Sequence, residues 1–166
     1  MAVNNQQRPL AATPQRSAPI EIVRRRRIAV PPERVFAILS SPANLAELLP
    51  RVRRVEMLER SATRAHIVAH LALTPFYTIR ADGEVRWVTN REICFSAIEP
   101  AQVEACYQLE PDGDGTQVRA TLRLDLSSML GALGALVPDE SIVALATPDI
   151  DATLAALARR AVRSTP

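Results

Sequence analysis

From Ala65 onward the chain alternates apolar and polar residues with a period of two. One parity carries Ala65, Ile67, Ala69, Leu71 and Leu73, then Ile79, Ala81, Gly83, Val85 and Trp87, then Ile93, Phe95 and Ala97. It continues through Val103, Ala105, Tyr107 and Leu109 and ends with Val118, Ala120, Leu122, Leu124 and Leu126. The opposite parity holds His66, His70, Arg80, Asp82, Glu84, Arg86, Glu104, Gln108, Arg119, Arg123 and Asp125. Successive side chains of a strand point to opposite faces, so this pattern predicts an antiparallel sheet with one buried and one wet face. Pro100 and the run PDGDG at 111–115 supply turns between strands.

Before the sheet, the phrase IAVPPERVFAILSSPANLAELLPRVRRV compresses a strand end, two short helices and a returning strand. Pro31 keeps Val30 extended, while Pro32 and Glu33 suit a helix first turn, where a missing N–H costs nothing and negative charge is favoured. Val35, Phe36 and Leu39 give that helix an apolar stripe. Ser40, Ser41 and Pro42 break it, and a second helix over 43–49 stops at Pro50. At the other end, Ile150, Leu154, Leu157, Ala158 and Ala161 repeat at helical spacing, with Asp149 and Asp151 near the start and Arg159, Arg160 and Arg163 near the end, in the order the helix dipole favours. The intervening SSMLGALGALVPDE places Met129, Leu130, Leu133 and Leu136 among glycines. It reads about equally as a mobile lid or a short amphipathic helix on the sheet edge, with transient contact with a membrane surface as a third option.

The segment 28–59, with its PPERVF, helix pair and LLPRVRRVE, resembles the START-like (helix-grip) superfamily, in particular its polyketide cyclase/dehydrase and lipid-transport branch. A looser likeness runs from Ile20 to the C-terminus. The resemblance implies an α+β fold: a curved antiparallel sheet of about seven strands wrapped around a long C-terminal helix, with two short helices after the first strand. It also implies a cavity for an apolar ligand between sheet and helix, but no catalytic signature is among the matching residues. Residues 20–166 are expected to form the single ligand-binding domain, and 1–19, rich in Asn, Gln, Pro and Ser, a disordered leader.

Turn positions suggest which inward residues face one another. The row Ala69, Gly83, Ala97, Val103 is small and forms a trough beside the bulkier row Ile67, Val85, Phe95, Ala105, Leu122. Close approach of the helix explains such a trough as well as a ligand groove does. A third row, Ala65, Trp87, Ile93, Tyr107, Ala120, puts an indole and a phenol on the inner face, where Tyr107 is the best candidate for a polar ligand contact. These rows and Leu154 of the helix make up the expected ligand wall.

Composition removes some chemistry. All twenty basic residues are arginine, which excludes lysine Schiff-base catalysis and a Walker-type phosphate loop. A net charge of +2 does not by itself argue for nucleic acid, and the arginines at 24–27 alternate between faces if they lie on a strand. Arg24 and Arg26 would share the inward parity, either as a solvated strand end or as head-group contacts at a cavity mouth. His66 and His70, four apart on a strand, stand roughly 13 Å apart, too far for a shared metal or an acid/base dyad. Cys94 and Cys106 fall opposite each other across a hairpin centred on Pro100. Reduced thiols are expected in a cytoplasmic protein, with a redox-sensitive bridge as the alternative.

These observations favour non-covalent binding or carriage of a hydrophobic small molecule (lipid, quinone or polyketide-like), with no cofactor, no metal, no nucleic acid and no stable membrane insertion. The alternative is a polyketide cyclase or dehydrase working in the same cavity, for which Glu59, on the inward parity near a strand end, is the first acid/base suspect. The lack of an apolar N-terminal run and of any stretch of about 18 apolar residues suggests a cytoplasmic protein.

Overall fold

The computed structural model describes residues 19–163; the expected leader falls almost wholly outside them. Seven strands form one antiparallel sheet: β1 (Ile20–Ile28), β2 (Val52–Arg60), β3 (Arg64–Thr74), β4 (Tyr77–Val88), β5 (Glu92–Glu99), β6 (Gln102–Asp112) and β7 (Gly115–Asp125). Their spatial order is β1-β7-β6-β5-β4-β3-β2, so the two strands adjacent in sequence at the start become opposite edges. The chain between them is α1 (Pro32–Leu39) and α2 (Pro42–Leu48), which spans the concave side. Pro31 is extended (φ −67°, ψ 159°) and Pro32 opens α1, whose Val35, Phe36, Ile38 and Leu39 are buried. After β7 come a single turn α3 (Ser127–Leu130), a 3-10 turn (Gly131–Leu136) and the long α4 (Asp139–Arg163). The fold is the expected α+β helix grip.

Helix α4 begins at Asp139, well before the expected start near Asp149, and continues through Pro148. Proline cannot donate to the carbonyl one turn back. Burial of Ile142 in the same core as Ile150, Leu154, Leu157 and Ala161 holds the helix together on both sides of that gap. By length and composition alone α4 could cross a membrane; here this apolar stripe packs into the grip.

The parities hold across β3–β7 except at Leu73, expected inward but exposed in a bulge, and the expected rows Trp87–Ile93–Tyr107–Ala120 and Val85–Phe95–Ala105–Leu122 form across β4–β7. The pairing of β3 with β4 differs from expectation by two residues. Ala69 lies opposite Ala81, and Gly83 faces Ile67. The register shifts between Ala72 and Thr74, where Leu73 is extra, and Thr74 pairs with Tyr77 around the turn. A two-residue slide preserves the faces but puts Ile67 where the small trough was expected.

Gly83, Ala97 and Val103 still share a row as expected, and Gly83 has a second role. Between Asp82↔Glu99 and Gly83↔Ala97 the register shifts again, leaving Ile98 extra. A Cβ at Gly83 would sit 2.5 Å from the Ser96 carbonyl oxygen, so the strands approach there more closely than any side chain permits.

On the convex face, Arg123 bridges Glu21 (2.8 Å) and Glu104 (3.0 Å), and Arg86 reaches Glu84 and Glu104. These solvated pairs contribute little individually, but they interleave the arginines with acids. Cys94 and Cys106 lie directly opposite, as the hairpin predicted, with Cα atoms 4.1 Å apart. They form a disulfide, in contrast to the reduced state expected from a cytoplasmic setting. Close opposition on neighbouring strands brings the two sulfurs within bonding reach.

Gly83→Ala should lower stability by about 1–3 kcal/mol through overpacking against Ser96, read as a lower urea midpoint. Unreduced, denatured protein should give no reaction with a thiol reagent and two thiols per chain after reduction; two thiols beforehand would refute the bridge.

Candidate functional site

Among the described residues, two hollows lie between the grip and its helices. The larger, about 150 Å³, is floored by Ala105, Tyr107, Ala120 and Leu122 of β6 and β7 and roofed by Ile150 and Thr153 of α4. Leu49, Pro50, Arg51 and Val52, where α2 gives way to β2, form its side. At the rim Arg51 Nε and Asp149 Oδ2 are ion-paired at 2.5 Å, tying β2's entry to α4. The smaller hollow, about 20 Å³, lies between the helix pair and β2–β5, against Met57, Val85, Trp87 and Phe95 among others. Phe95 lines the smaller hollow and Tyr107 the larger, and their rings meet edge to face at 6.3 Å. The aromatic pair therefore stands between them. A wider concavity of about 780 Å³ around Asn90, Arg91 and Glu110 lies outside the grip and is an open surface dish.

Tyr107 is the polar feature of the larger hollow's floor. Its side chain is buried, and its hydroxyl makes no hydrogen bond to the described residues, unlike Thr153, whose Oγ1 donates to the Asp149 carbonyl at 2.8 Å. Burial alone pushes the phenol from 10.0 up to about 12, because the phenolate would be poorly solvated there. At neutral pH Tyr107 is a neutral hydrogen-bond donor in an apolar wall. Among the described residues the fully buried hydroxyl without a partner is that of Thr147, one residue before Pro148, and it lines neither hollow.

The expected site residues divide. Tyr107, Ala105 and Leu122 come together in the larger hollow; Trp87, Phe95, Val85 and Ile67 line the smaller one. Ala69, Gly83 and Leu154 line neither, and Leu154 is buried in the core. Arg24 has the inward parity, opposite Ala120, but its guanidinium pairs with Asp151 on α4 at 3.2 Å. Arg26, opposite Val118, is exposed and lines neither hollow.

Glu59 is displaced by a bulge. Met57 faces Ile67 but Glu59 faces His66, so the extra Leu58 reverses parity and puts Glu59 on the outer face. The inward place passes to Arg60, which stacks 5.2 Å above the Trp87 ring and lines the smaller hollow. Sequence alternation gave no signal for this exchange. Nor did it indicate Arg51 and Asp149, whose pairing depends on how α4 crosses the sheet. His66 and His70 lie outside, near Asp82 (3.8 Å) and Glu56 (3.5 Å). Among the described residues no cluster of three or more His, Cys, Asp or Glu is arranged to hold a metal.

The sequence matches the family model described as polyketide cyclase/dehydrase and lipid transport over residues 19–162. Among curated proteins none matches. Solved structures share the fold at low identity. A protein from Thermus thermophilus is 21% identical with a TM-score of 0.71, covering 88% of this chain and 99% of its own. The Zhui aromatase/cyclase of a Streptomyces species, R1128, is 18% identical with a TM-score of 0.72, covering 88% and 95%. A START superfamily protein from Mycobacterium smegmatis is 16% identical with a TM-score of 0.71, covering 87% and 99%.

The Tyr107 phenol adds a pH dependence. Its pKa is raised in the folded state, so the stabilising contribution is complete below pH 10, falls as only the unfolded chain ionises, and is gone above about pH 12. The span corresponds to roughly 2–3 kcal/mol. Denaturant titrations between pH 9 and 11.5 should show this decline, and Tyr107→Phe should flatten it; equal slopes would mean that the phenol is not desolvated.

Proposed function

Given that the chain belongs to the polyketide cyclase/dehydrase and lipid transport family, we propose that it binds and carries an apolar small molecule (a lipid, quinone or polyketide-like compound) non-covalently between the sheet and α4. The observation that carries this reading is the unpartnered, neutral Tyr107 hydroxyl in an otherwise apolar floor. Apolar contact with Ala105, Ala120, Leu122 and Ile150 would supply affinity, and Tyr107 would orient the ligand by donating to one of its oxygens. The hollow, about 150 Å³, is below the roughly 300 Å³ of ordinary ligand sites. A larger guest therefore requires rotation of Phe95, which would join the two hollows, or release of Arg51 from Asp149.

A cyclase or dehydrase is the second reading, favoured by the fold shared with the Zhui aromatase/cyclase. Apart from the Arg51–Asp149 rim pair, Tyr107 is the only titratable group among the described residues that line the larger hollow. A phenol held at about 12 keeps its proton at neutral pH, so in an enzyme it would polarise a substrate carbonyl and position a chain for closure. Cytoplasmic residence belongs to the same proposal, although the Cys94–Cys106 bridge is more at home in an oxidising compartment.

Native mass spectrometry of gently purified protein should reveal a stoichiometric apolar compound. With 2-methyl-1,4-naphthoquinone as a defined probe, quenching of the single Trp87 should report binding. Tyr107→Phe should weaken that binding about three- to tenfold while leaving 2-methylnaphthalene, which has no oxygen, within about twofold. Equal affinities for the quinone in both proteins would remove Tyr107 from the site. Failure of both probes and an empty native spectrum would sink the carrier reading.

A further inference from the structure

A group of exposed apolar side chains collects at one end of the grip. Phe76 is 99% exposed at the tip of the β3–β4 hairpin, beside the exposed Tyr77; Leu136 is 76% exposed on the 3-10 turn, with Leu133 near it; Ile98 and Leu145 are likewise exposed. The registers place these residues together. Asp82 faces Glu99, so the β3–β4 turn projects past the β5–β6 turn on the same side. Gln102 faces Asp125, so the chain leaves β7 for α3 beside the β5–β6 turn, where Ser128 Oγ donates to the Pro100 carbonyl at 3.1 Å. The mouth of the larger hollow lies at this end. Ala72 N–H at the hairpin base donates to the carbonyl of the mouth residue Arg51 (2.7 Å), and Leu145 sits one turn before Arg51's partner Asp149.

From these placements we infer that the collar is a docking surface for a neutral, zwitterionic lipid layer, bringing the hollow's mouth against the acyl region. Charge selects this partner. No arginine occurs between Arg123 and Arg159, no charged residue occurs over 126–138, and the hairpin is uncharged over 71–79. The arginines at this end are mostly neutralised, Arg51 by Asp149, Arg54 by Glu56 and Arg80 by Asp82; the exposed Arg53 beside them is outnumbered by the acids Glu99, Asp125, Asp139 and Glu140. An anionic membrane, a nucleic acid or an acidic protein would be repelled, whereas a zwitterionic surface carries no net charge to oppose approach. Shape selects it as well. The apolar groups stand on separate projections, which a fluid interface can wet together and a rigid partner would have to match one by one. A Phe–Tyr tip suits the boundary between head groups and acyl chains. The use of such docking, loading or unloading an apolar guest, rests on the carrier reading; the docking itself does not.

Flotation of the full chain with phosphatidylcholine vesicles tests the inference. Co-flotation should be insensitive to salt and should fall when phosphatidylglycerol is added. Phe76→Ser combined with Leu136→Ser should reduce it about tenfold or more, with the thermal melt unchanged because both side chains are already in water. If the double variant melts differently, Leu133→Ser alone should still give a partial loss. Tyr107→Phe should float like the wild type, so a ligand-site failure and a docking failure are read separately. No flotation with phosphatidylcholine would overturn the inference, as would flotation that rises with phosphatidylglycerol and vanishes in salt. So would a concentration-dependent dimer abolished by the serine substitutions, which would assign the collar to a second copy of the chain.

Discussion

Packing of one stripe of α4 into the concave side of the sheet is the contact on which the rest depends. Ile150, Leu154, Leu157 and Ala161 are buried there, with Ile142 extending the stripe beyond Pro148. Full burial of a Leu or Ile contributes about 1.5–3 kcal/mol, and in this chain it also decides geometry. β1 and β2 are opposite edges with no hydrogen bond between them. What spans the opening is the helix pair below and α4 above, fastened by Arg24–Asp151 to β1 and by Arg51–Asp149 to the start of β2. Glu47 and Arg160 add a link from α2. The larger hollow is the space this arrangement leaves beside the stripe.

Much of this was legible in the sequence, since period-two alternation over five strands has few competing explanations and the two proline-started helices are punctuated at both ends. Parity survived across β3–β7 except at Leu73, near the β3–β4 turn. The losses came at single extra residues. Leu73 slid β3 along β4 and Leu58 exchanged Glu59 for Arg60, while Ile98, equally extra, left the expected Gly83–Ala97 pairing in place. An inserted residue leaves no compositional trace when it is itself apolar, as all three are. The error is therefore one of register or parity, which matters little to the fold and a great deal to which side chain enters the site.

The start of α4 failed for a different reason. Pro148 weakens a helix locally, and the apolar residues before it are compatible with either a loop or a helix; only the position of Ile142 in the tertiary core decides. Tyr107 was accessible by contrast, because its parity and its polar atom are both sequence properties. What sequence could not supply was the desolvation that holds its proton in place, since that depends on how Ile150 and Thr153 cover it.

The Cys94–Cys106 bridge has a consequence for the inner wall that its position on the outer face conceals. In a strand, alternate residues share one backbone, so fastening Cys94 to Cys106 also fixes the spacing of their neighbours, Phe95 with Ala105 and Ile93 with Tyr107. The aromatic partition between the two hollows is thus hung from a covalent tie on the opposite surface. The cavity's internal divider has a fixed backbone, and adaptation to guests of different shape falls to side-chain rotation and to the helix.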